Sequence, residues 1–509
     1  MALDVDQSDL TLAVVGTGAM GRGIAQIAAA AGIRTLLADA RPQAVQEAIG
    51  FIGRMLDRQA EKGRMTAGQS ERAKACLHEV SMDDATLGRC GVVVEAIAED
   101  LEAKRALFSR LEQRVSEDCI LATNTSSLSV TAIAAACRLP QRVAGFHFFN
   151  PVPLMKIVEV AAGPLTSPAA ADALMRLGQR MGHFAARTQD TPGFLVNHAG
   201  RGLGTEGLRI VDEGISDFAG VDRVLREQAG FRMGPFELID LTGLDVSHPV
   251  MESIYEQFYH EPRFRPSPIT RQRLDAGLIG RKAGRGFYDY PDGKMAPPPE
   301  QPIPDAVKRP VWVSPANEDG HRIAVDLLQS LGAERDAGSH PASESLCLVT
   351  PVGNDATTAA LEQRLDPART VALDTVFPLD KRRTLMATPV TEPAARDAAH
   401  ALLAADGVPV TVIRDSPGFI AQRVVATIVN IGCEICQRRI GSPQDLDNAV
   451  TLGLGYPMGP LAYGDHLGAP RVLEILQALE RFYGDPRYRP SPWLRRRARL
   501  GVSLTTAQD

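Results

Sequence analysis

The chain has 509 residues, more than a single hydrophobic core serves, so three domains or two pairs of domains are expected. Lys and Arg total 55 against 61 acids, a net charge of −6, which excludes the broad basic field that nucleic-acid binding requires. Hydrophobic residues at 44%, charged residues at 23% and aromatics at 5%, with 45 glycines, describe an Ala/Gly/Val-rich α/β chain and not a disordered one. The opening MALDVDQSDLT has no basic segment leading into an apolar core, and no apolar run reaches the ~18 residues of a membrane span, so neither export nor membrane insertion is expected. Seven scattered cysteines, an odd number, point to a reducing, cytoplasmic compartment.

The first predicted strand is LAVVG, followed by the Ala-rich helical stretch of TGAMGRGIAQIAAAAG. Gly16, Gly18 and Gly21 form GxGxxG at the junction, and Asp39 ends the next strand, RTLLAD. A bare GxGxxG is common as an ordinary turn, whereas strand, helix and spaced acid together make a dinucleotide fingerprint. Gly16 permits the tight turn, Gly18 lets the backbone approach the pyrophosphate, and Gly21 lets helix meet strand, with the helix N-terminus facing the anion. The Asp39 carboxylate can accept from both ribose hydroxyls, whereas a 2′-phosphate beside it meets like-charge repulsion. NAD is therefore expected over its phosphorylated form, even with Arg41 nearby.

VVVEA, CILATN, RVAGFHF and KIVEV follow as strands between helical stretches, a βαβα rhythm that predicts a parallel sheet with crossover helices. In GFHFFNPVPLMKIVEV, His147 stands between Phe146 and Phe148, its expected apolar walls, and Glu159 follows. A lone histidine in such a run is more often a core residue bonded to a backbone carbonyl. In the same way Ser126 in TNTSSL can cap a turn, Glu159 can pair with a surface lysine, and Asn197 can cap its helix. Beyond Asp190 the pattern becomes all-helical. Thr191 and Pro192 read as N-cap and first helical residue, which puts Asn197 in the opening turns of a helix.

The chain then repeats itself. DTPGFLVN from Asp190 returns as DSPGFIAQ from Asp415, and GFRMGPFELIDLTG from Gly230 returns as GYPMGPLAYGDHLG from Gly455, both 225 residues later. PRFRPSP from Pro262 returns as PRYRPSP from Pro486, 224 residues later. The predicted fold is an α/β Rossmann dinucleotide-binding domain at 1–188 and an all-α domain at 189–290. A Pro-rich linker at 291–310 leads to a degenerate Rossmann-like domain at 311–412 and a second helical domain at 413–509. VWVSPANEDG from Val311 has no GxG, Asn197 meets Gln422 at the 225-residue shift, and no His or Ser recurs in the matching loops. One dinucleotide site and one active site per chain are expected. Cys433 and Cys436 form CEIC in a helical stretch without a second pair or a His cluster, so no metal site is expected.

GxGxMGxGIA, VVEAIAEDLEAK, TNTSSL, HFFNPVP, DTPGFLVN and MGPFELIDLTGLD, in this order, resemble the L-3-hydroxyacyl-CoA dehydrogenase family over roughly residues 10 to 290. The layout and the RYRPSPWLRRRA ending resemble its longer bacterial members with a repeated C-terminal helical domain, those associated with phenylacetate catabolism that act on 3-hydroxyadipyl-CoA. The resemblance implies an NAD-dependent dehydrogenase of an L-3-hydroxyacyl-CoA, with His147 as general base and Glu159 as its partner. It implies that Ser126 and Asn197 hold the substrate oxygens, and that Met20, Glu99, Lys104, Asn150 and Lys282 join Gly16, Gly18, Gly21 and Asp39 in contacting NAD.

The chemistry agrees, because oxidising a secondary alcohol needs a base whose pKa lies near working pH, which is the ordinary range of histidine. Arg54, Arg58, Lys62 and Arg64 in FIGRMLDRQAEKGRM are candidates for the CoA phosphates or, equally, a solvated helix face. The second helical domain is expected to pack on the first as an internal pseudo-dimer that replaces the subunit interface of shorter relatives, with further homo-oligomerisation left open. Two other readings fit the fingerprint. One is a non-catalytic NAD-binding or structural relative. The other is a dehydrogenase of a non-CoA hydroxy acid, which would carry a lysine base where this chain has Asn197.

Overall fold

Short apolar runs separated by helices build one sheet in the first half of the chain. Its strands are β1 (Thr11–Val15), β2 (Arg34–Ala38), β3 (Leu77–Glu79), β4 (Val92–Glu95), β5 (Ile120–Thr123), β6 (Val143–Phe148), β7 (Ile157–Ala162) and β8 (Phe184–Gln189). The order is β3-β2-β1-β4-β5-β6-β7-β8, and every residue of the central strands β1, β4, β5 and β6 is buried. Burial on both faces is why these strands read as unbroken apolar runs. One core layer holds Val14, Val94, Phe146 and Phe148, and the other holds Ala13, Val93, Phe108 and Leu121. The helices are α1 (Ala19–Ala30), α2 (Pro42–Glu61), α3 (Ala67–Ala75), α4 (Leu101–Glu112), α5 (Val130–Ala134) and α6 (Pro168–Arg180).

All strand neighbours run parallel except β6 and β7, which pair antiparallel. Residues 149–156 between them are too few for a crossover helix, so the chain turns straight back. That reversal places His147 directly opposite Glu159.

The computed structural model describes residues 3–508, and its contacts divide the chain into two units. Unit 1 is Met1–His198 with Arg438–Leu454, and unit 2 is Ala199–Gln437 with Gly455–Asp509. Helices α7 (Val196–Asp212), α8 (Phe218–Glu227), α9 (Pro235–Thr242), α10 (Leu244–Gln257) and α11 (Pro268–Asp275) complete the first copy. The second copy has strands β9 (Val311–Val313), β10 (Leu346–Val349), β11 (Thr370–Leu373), β12 (Arg383–Ala387) and β13 (Val410–Arg414), ordered β13-β12-β11-β10-β9. Its helices are α12 (Glu318–Ser330), α13 (Ala356–Glu362), α14 (Pro393–Leu403), α15 (Ala421–Gln437), α16 (Pro443–Leu454), α17 (Pro460–Leu467), α18 (Ala469–Tyr483) and α19 (Pro492–Leu500).

One contact is made twice, once in each unit. In unit 1 the edge strand β8 donates from Gln189 N to Ile440 O at 2.9 Å, and α16 packs on β7 and β8. In unit 2 the edge strand β13 donates from Arg414 N to Ile215 O at 3.0 Å, while Arg382 reaches Glu227 at 2.9 Å and Thr384 reaches Gln228 at 2.6 Å. Gln189 and Arg414, like Ile215 and Ile440, stand 225 apart in the chain. Each edge strand is thus covered by a helical hairpin from the other copy, which removes an open sheet edge from solvent.

Within unit 2 the two helical copies share a buried ion cluster. The Arg423 side chain is fully buried, with Nε 2.5 Å from Glu206 and its two terminal nitrogens 2.8 and 2.9 Å from Glu213. The Tyr488 hydroxyl donates to Glu206 at 2.6 Å. Burial pushes the Glu206 carboxyl up, but the charges of Arg423 and Arg487 and the Tyr488 hydroxyl outweigh it and hold the group below its ordinary range.

Candidate active site

At the carboxyl end of β1, Gly16 has φ +93°, and a Cβ there would lie 2.6 Å from the Ala96 carbonyl oxygen. A Cβ on Gly21 would lie 1.8 Å from the Gly16 carbonyl oxygen, so helix and strand meet as closely as the fingerprint requires. Gly18 differs, because a Cβ there would meet nothing within 4 Å. Gly18 is also the N-cap of α1 with no side-chain cap, which leaves the helix amides open to an anion. Met20 is half-buried against the core.

Asp39 Oδ2 accepts from Thr17 N at 2.8 Å and Thr17 Oγ1 at 2.9 Å, and Oδ1 accepts from Arg41 N at 3.0 Å. Burial pushes this carboxyl up, but those bonds prevail and hold it below its ordinary range, so it is ionised at neutral pH. A cavity of about 420 Å³ joins Gly16, Gly18 and Asp39 to Ile97, Leu107 and Arg110. Uncapped helix amides, an open Gly18 and an ionised acid at the second strand fit a dinucleotide.

His147 is 4% exposed and Glu159 is 0% exposed. His147 Nδ1 lies 2.7 Å from Glu159 Oε2, which leaves Nε2 as the ring nitrogen turned from the acid. Glu159 Oε1 accepts two further bonds, from Leu195 N at 2.9 Å and Val196 N at 2.8 Å. Those amides are aimed by a left-handed turn, with Gly193 at φ +78° and Phe194 at φ +49°. The helix expected from Pro192 therefore starts at Val196, because left-handed residues break it, and Asn197 falls in its first turn as expected.

The apolar walls are also not the expected ones. Phe146 and Phe148 point to the opposite face of β6, where their rings meet edge-on at 4.7 Å, as strand alternation dictates. The rings beside His147 are Phe149, at 4.4 Å between centroids, and Phe194, at 5.7 Å.

Glu99 and Lys104 come together with a residue the motif reading passed over. Lys104, on α4, is buried with its ammonium 2.5 Å from Glu95 and 3.4 Å from Glu99. Glu95 is fully buried and also accepts from Thr123 Oγ1 at 2.7 Å. Glu99 Oε1 gathers the TNTSSL loop, accepting from Thr125 Oγ1 at 2.6 Å, Ser126 N at 2.9 Å and Ser127 N at 3.1 Å. Burial pushes Glu99 up, but the Thr125 hydroxyl, the Lys104 charge, the Ser126 amide and the Ser127 hydroxyl hold it below its ordinary range. Asn124 in the same loop accepts from Phe148 N at 2.8 Å and so ties it to β6. The signal for Glu95 was an acid ending an all-apolar strand, a position where burial demands a partner.

Asn150 lines a second cavity of about 370 Å³ in unit 1, with Arg58, Lys62 and Arg64 at its rim. Arg54 is exposed and does not line it, whereas Arg22 on α1 does, its guanidinium 4.1 Å from the Phe51 ring centre. Lys282 lies in unit 2, paired with Asp245 at 2.5 Å.

The second copy shows what stands in the same places. Leu373 pairs with Leu385 as Phe146 pairs with Val160, so the next pair, Asp374 and Thr384, takes the places of His147 and Glu159. Gln422, at the place of Asn197, donates to Asp374 Oδ1 at 2.9 Å and accepts from Gly353 N at 2.8 Å. Burial pushes the Asp374 carboxyl up to about 6, against the bonds from Gln422 and Val376.

The family profile described as 3-hydroxyacyl-CoA dehydrogenase, NAD binding domain, matches residues 11–191. That of the 3-hydroxyacyl-CoA dehydrogenase C-terminal domain matches residues 193–290 and 418–507. The chain belongs to the 3-hydroxyacyl-CoA dehydrogenase family. It is 37% identical to the 3-hydroxyadipyl-CoA dehydrogenase of Escherichia coli (strain K12), over 96% of this chain and 98% of that one. A crystal structure of 3-hydroxybutyryl-CoA dehydrogenase from Escherichia coli K12 substr. MG1655 matches with TM-score 0.82 at 36% identity, covering 97% of this chain and 98% of that chain. A probable 3-hydroxybutyryl-CoA dehydrogenase of Bacillus subtilis (strain 168) is 39% identical and covers 54% of this chain and 96% of its own length. The protein is an NAD-dependent 3-hydroxyacyl-CoA dehydrogenase with a repeated C-terminal helical domain.

Proposed function

We propose that the chain oxidises the 3-hydroxyl of 3-hydroxyadipyl-CoA, and less efficiently that of 3-hydroxybutyryl-CoA, with His147 as the general base. The 2.7 Å contact between His147 Nδ1 and Glu159 carries this reading. With Nδ1–H donated to the carboxylate, Nε2 is left to take the hydroxyl proton, and Glu159 is itself held by two amides. NAD held by the glycine turn and Asp39 would supply the acceptor for the hydride that leaves the carbinol carbon. Ser126 and Asn197 hold the substrate oxygens, and Glu99 supports Ser126 by holding its loop. Gly16, Gly18, Met20, Gly21 and Asp39 hold the dinucleotide, with Glu99, Lys104 and Asn150 completing its contacts in unit 1.

On this reading Arg22, Arg58, Lys62 and Arg64, which line the 370 Å³ cavity, meet the CoA phosphates. The diacid substrate is favoured because the Escherichia coli (strain K12) relative that this chain matches along nearly its full length is named for it. The buried Arg423 cluster supports an internal pseudo-dimer of the helical copies, and seven free thiols support a reducing, cytoplasmic setting.

The test is a series of L-3-hydroxyacyl-CoA substrates with NAD, from the four-carbon acid to the six-carbon diacid. The highest kcat/KM is expected for the diacid. Failure of His147→Gln to abolish turnover would overturn the base, and a preference for the monoacid would overturn the substrate.

A further inference from the structure

Helix α16 and the turn before it belong to the second copy, which lacks the histidine and the glutamate, yet within unit 1 they close on the turn that holds Glu159. Leu195 and Val196, whose amides bind Glu159, point their side chains at two glycines of that segment. A Cβ on Gly441 would lie 2.8 Å from Leu195 Cδ2, and one on Gly453 would lie 2.9 and 3.1 Å from the two methyls of Val196. The Leu195 methyl is the free end of a flexible side chain. The Val196 methyls sit on a stiff, β-branched one, so an added group at 453 moves the turn.

The repeat provides an internal control. Shifted by 225 residues, Glu159 becomes Thr384, Val196 becomes Ala421, and Gly453 answers to Gln228. In unit 2 Gln228 accepts from Thr384 Oγ1 at 2.6 Å, so a long amide reaches from the crossing hairpin to the very position that Glu159 holds in the first copy. Where that reach occurs, the turn residue has shrunk to alanine. Where the carboxylate must instead be held by two backbone amides, the crossing residue has shrunk to glycine and the turn residue is valine.

We infer that Gly453, assisted by Gly441, is a positioning residue of the first copy's active site, and that seating the Leu195–Val196 turn on Glu159 is a catalytic contribution of the otherwise inactive second copy. The inference rests on reading His147 and Glu159 as the acid–base pair. It commits the second copy to the reaction itself and not only to the stability of the fold.

The test uses the full-length chain with NADH and acetoacetyl-CoA. Gly453→Ala is expected to lower kcat by about tenfold to a hundredfold, while the Kd for NADH and the KM for acetoacetyl-CoA change by less than about twofold. Val196→Ala in the same chain makes room for the added methyl, and this double variant is expected to recover kcat to within about threefold of wild type. Wild-type kcat in Gly453→Ala, with only the melting temperature lowered, would overturn the inference. So would a folded, NADH-binding double variant without recovered turnover. If Gly453→Ala does not fold, the double variant alone decides. His147→Gln measured alongside separates the two readings. If that variant is active, the base assignment has failed. If it is inactive while Gly453→Ala is unimpaired, the positioning role has failed.

Discussion

Replacing Glu159 by glutamine tests how the buried carboxylate works, because its three donors are all known. It receives His147 Nδ1 on one oxygen and the Leu195 and Val196 amides on the other. Glutamine offers one oxygen and one NH2 group, so the side chain must choose. Turning NH2 toward the turn orphans two buried amides, at about 1–3 kcal/mol each. Turning NH2 toward the ring costs one charge-assisted bond, about 1.5–3 kcal/mol, which a change of tautomer partly restores. The second arrangement wins, and it moves the ring proton from Nδ1 to Nε2, the nitrogen that must be free to accept one. The fold therefore survives with a loss of about 1–2 kcal/mol, while kcat falls by about 10³-fold, equivalent to ~4 kcal/mol. The assay is steady-state loss of NADH absorbance with acetoacetyl-CoA, beside an NADH titration and a thermal melt. Turnover within about tenfold of wild type, with NADH binding and melting intact, would refute the tautomer argument.

Further outcomes follow from other sites. Asp39→Ala removes the acid proposed to hold the ribose and is expected to raise the KM for NADH by about tenfold or more, while improving the use of NADPH relative to NADH; paired cofactor titrations check it. Asp374, pushed up to about 6, binds its proton more tightly in the fold than in the open chain, so its stabilisation is complete below pH 3.8 and is lost as pH rises through about 6. Asp374→Asn should thus gain stability over wild type at pH 8, on the order of 3 kcal/mol, and little at pH 4, as read by denaturant titration at both values. Arg423→Met removes the nearest counter-charge of Glu206 and Glu213, leaving them Arg487 and Arg209, and is expected to destabilise unit 2 by about 3 kcal/mol, most of it recovered when Glu206→Leu is added. Lys62→Ala with Arg64→Ala should raise the KM for acetoacetyl-CoA and flatten its rise with added salt, leaving the Kd for NADH unchanged.

The parts of the fold that sequence reveals are those fixed by local pattern. Four apolar strands buried on both faces, the glycine fingerprint and Asp39 are each set by neighbours within one βαβ unit. What was hidden depends on distant partners. β3 and β8 are short or carry polar residues such as Gln189 and Thr188, and they become strands because β2 and β7 offer ladders. The walls of His147 were misplaced because Phe146 and Phe148 are its chain neighbours, whereas pleating makes Phe149 and Phe194 its spatial ones. Glu95 looked like one more end of an apolar strand until Lys104 and Thr123 closed on it. The exchange of hairpins between the copies had no local signature, since Ile215 and Ile440 are ordinary apolar residues after a helix.

The repeat also separates what the fold needs from what the reaction needs. Asp190 accepts from the Val130 and Thr131 amides at the start of α5, at 3.0 and 2.7 Å, and Asp415 does the same for Ala356 and Thr357 at the start of α13, at 2.8 and 3.2 Å. Both copies then make the same left-handed turn, with Phe194 and Phe419 each at φ +49°. The DTPGF and DSPGF segments are therefore helix caps and turn formers, and their acid has no part in proton transfer, because the copy without His147 and Glu159 keeps it in the same bonds. The differences fall at the residues proposed above for proton transfer. The histidine and glutamate of the first copy have become a buried acid and a threonine, Asn197 has become Gln422, and Gln228 from the crossing hairpin bonds the threonine. A second copy relieved of chemistry can satisfy its own buried groups while still presenting α16 to the working one. That division explains why its helical part remains close enough to the family pattern to match the same profile.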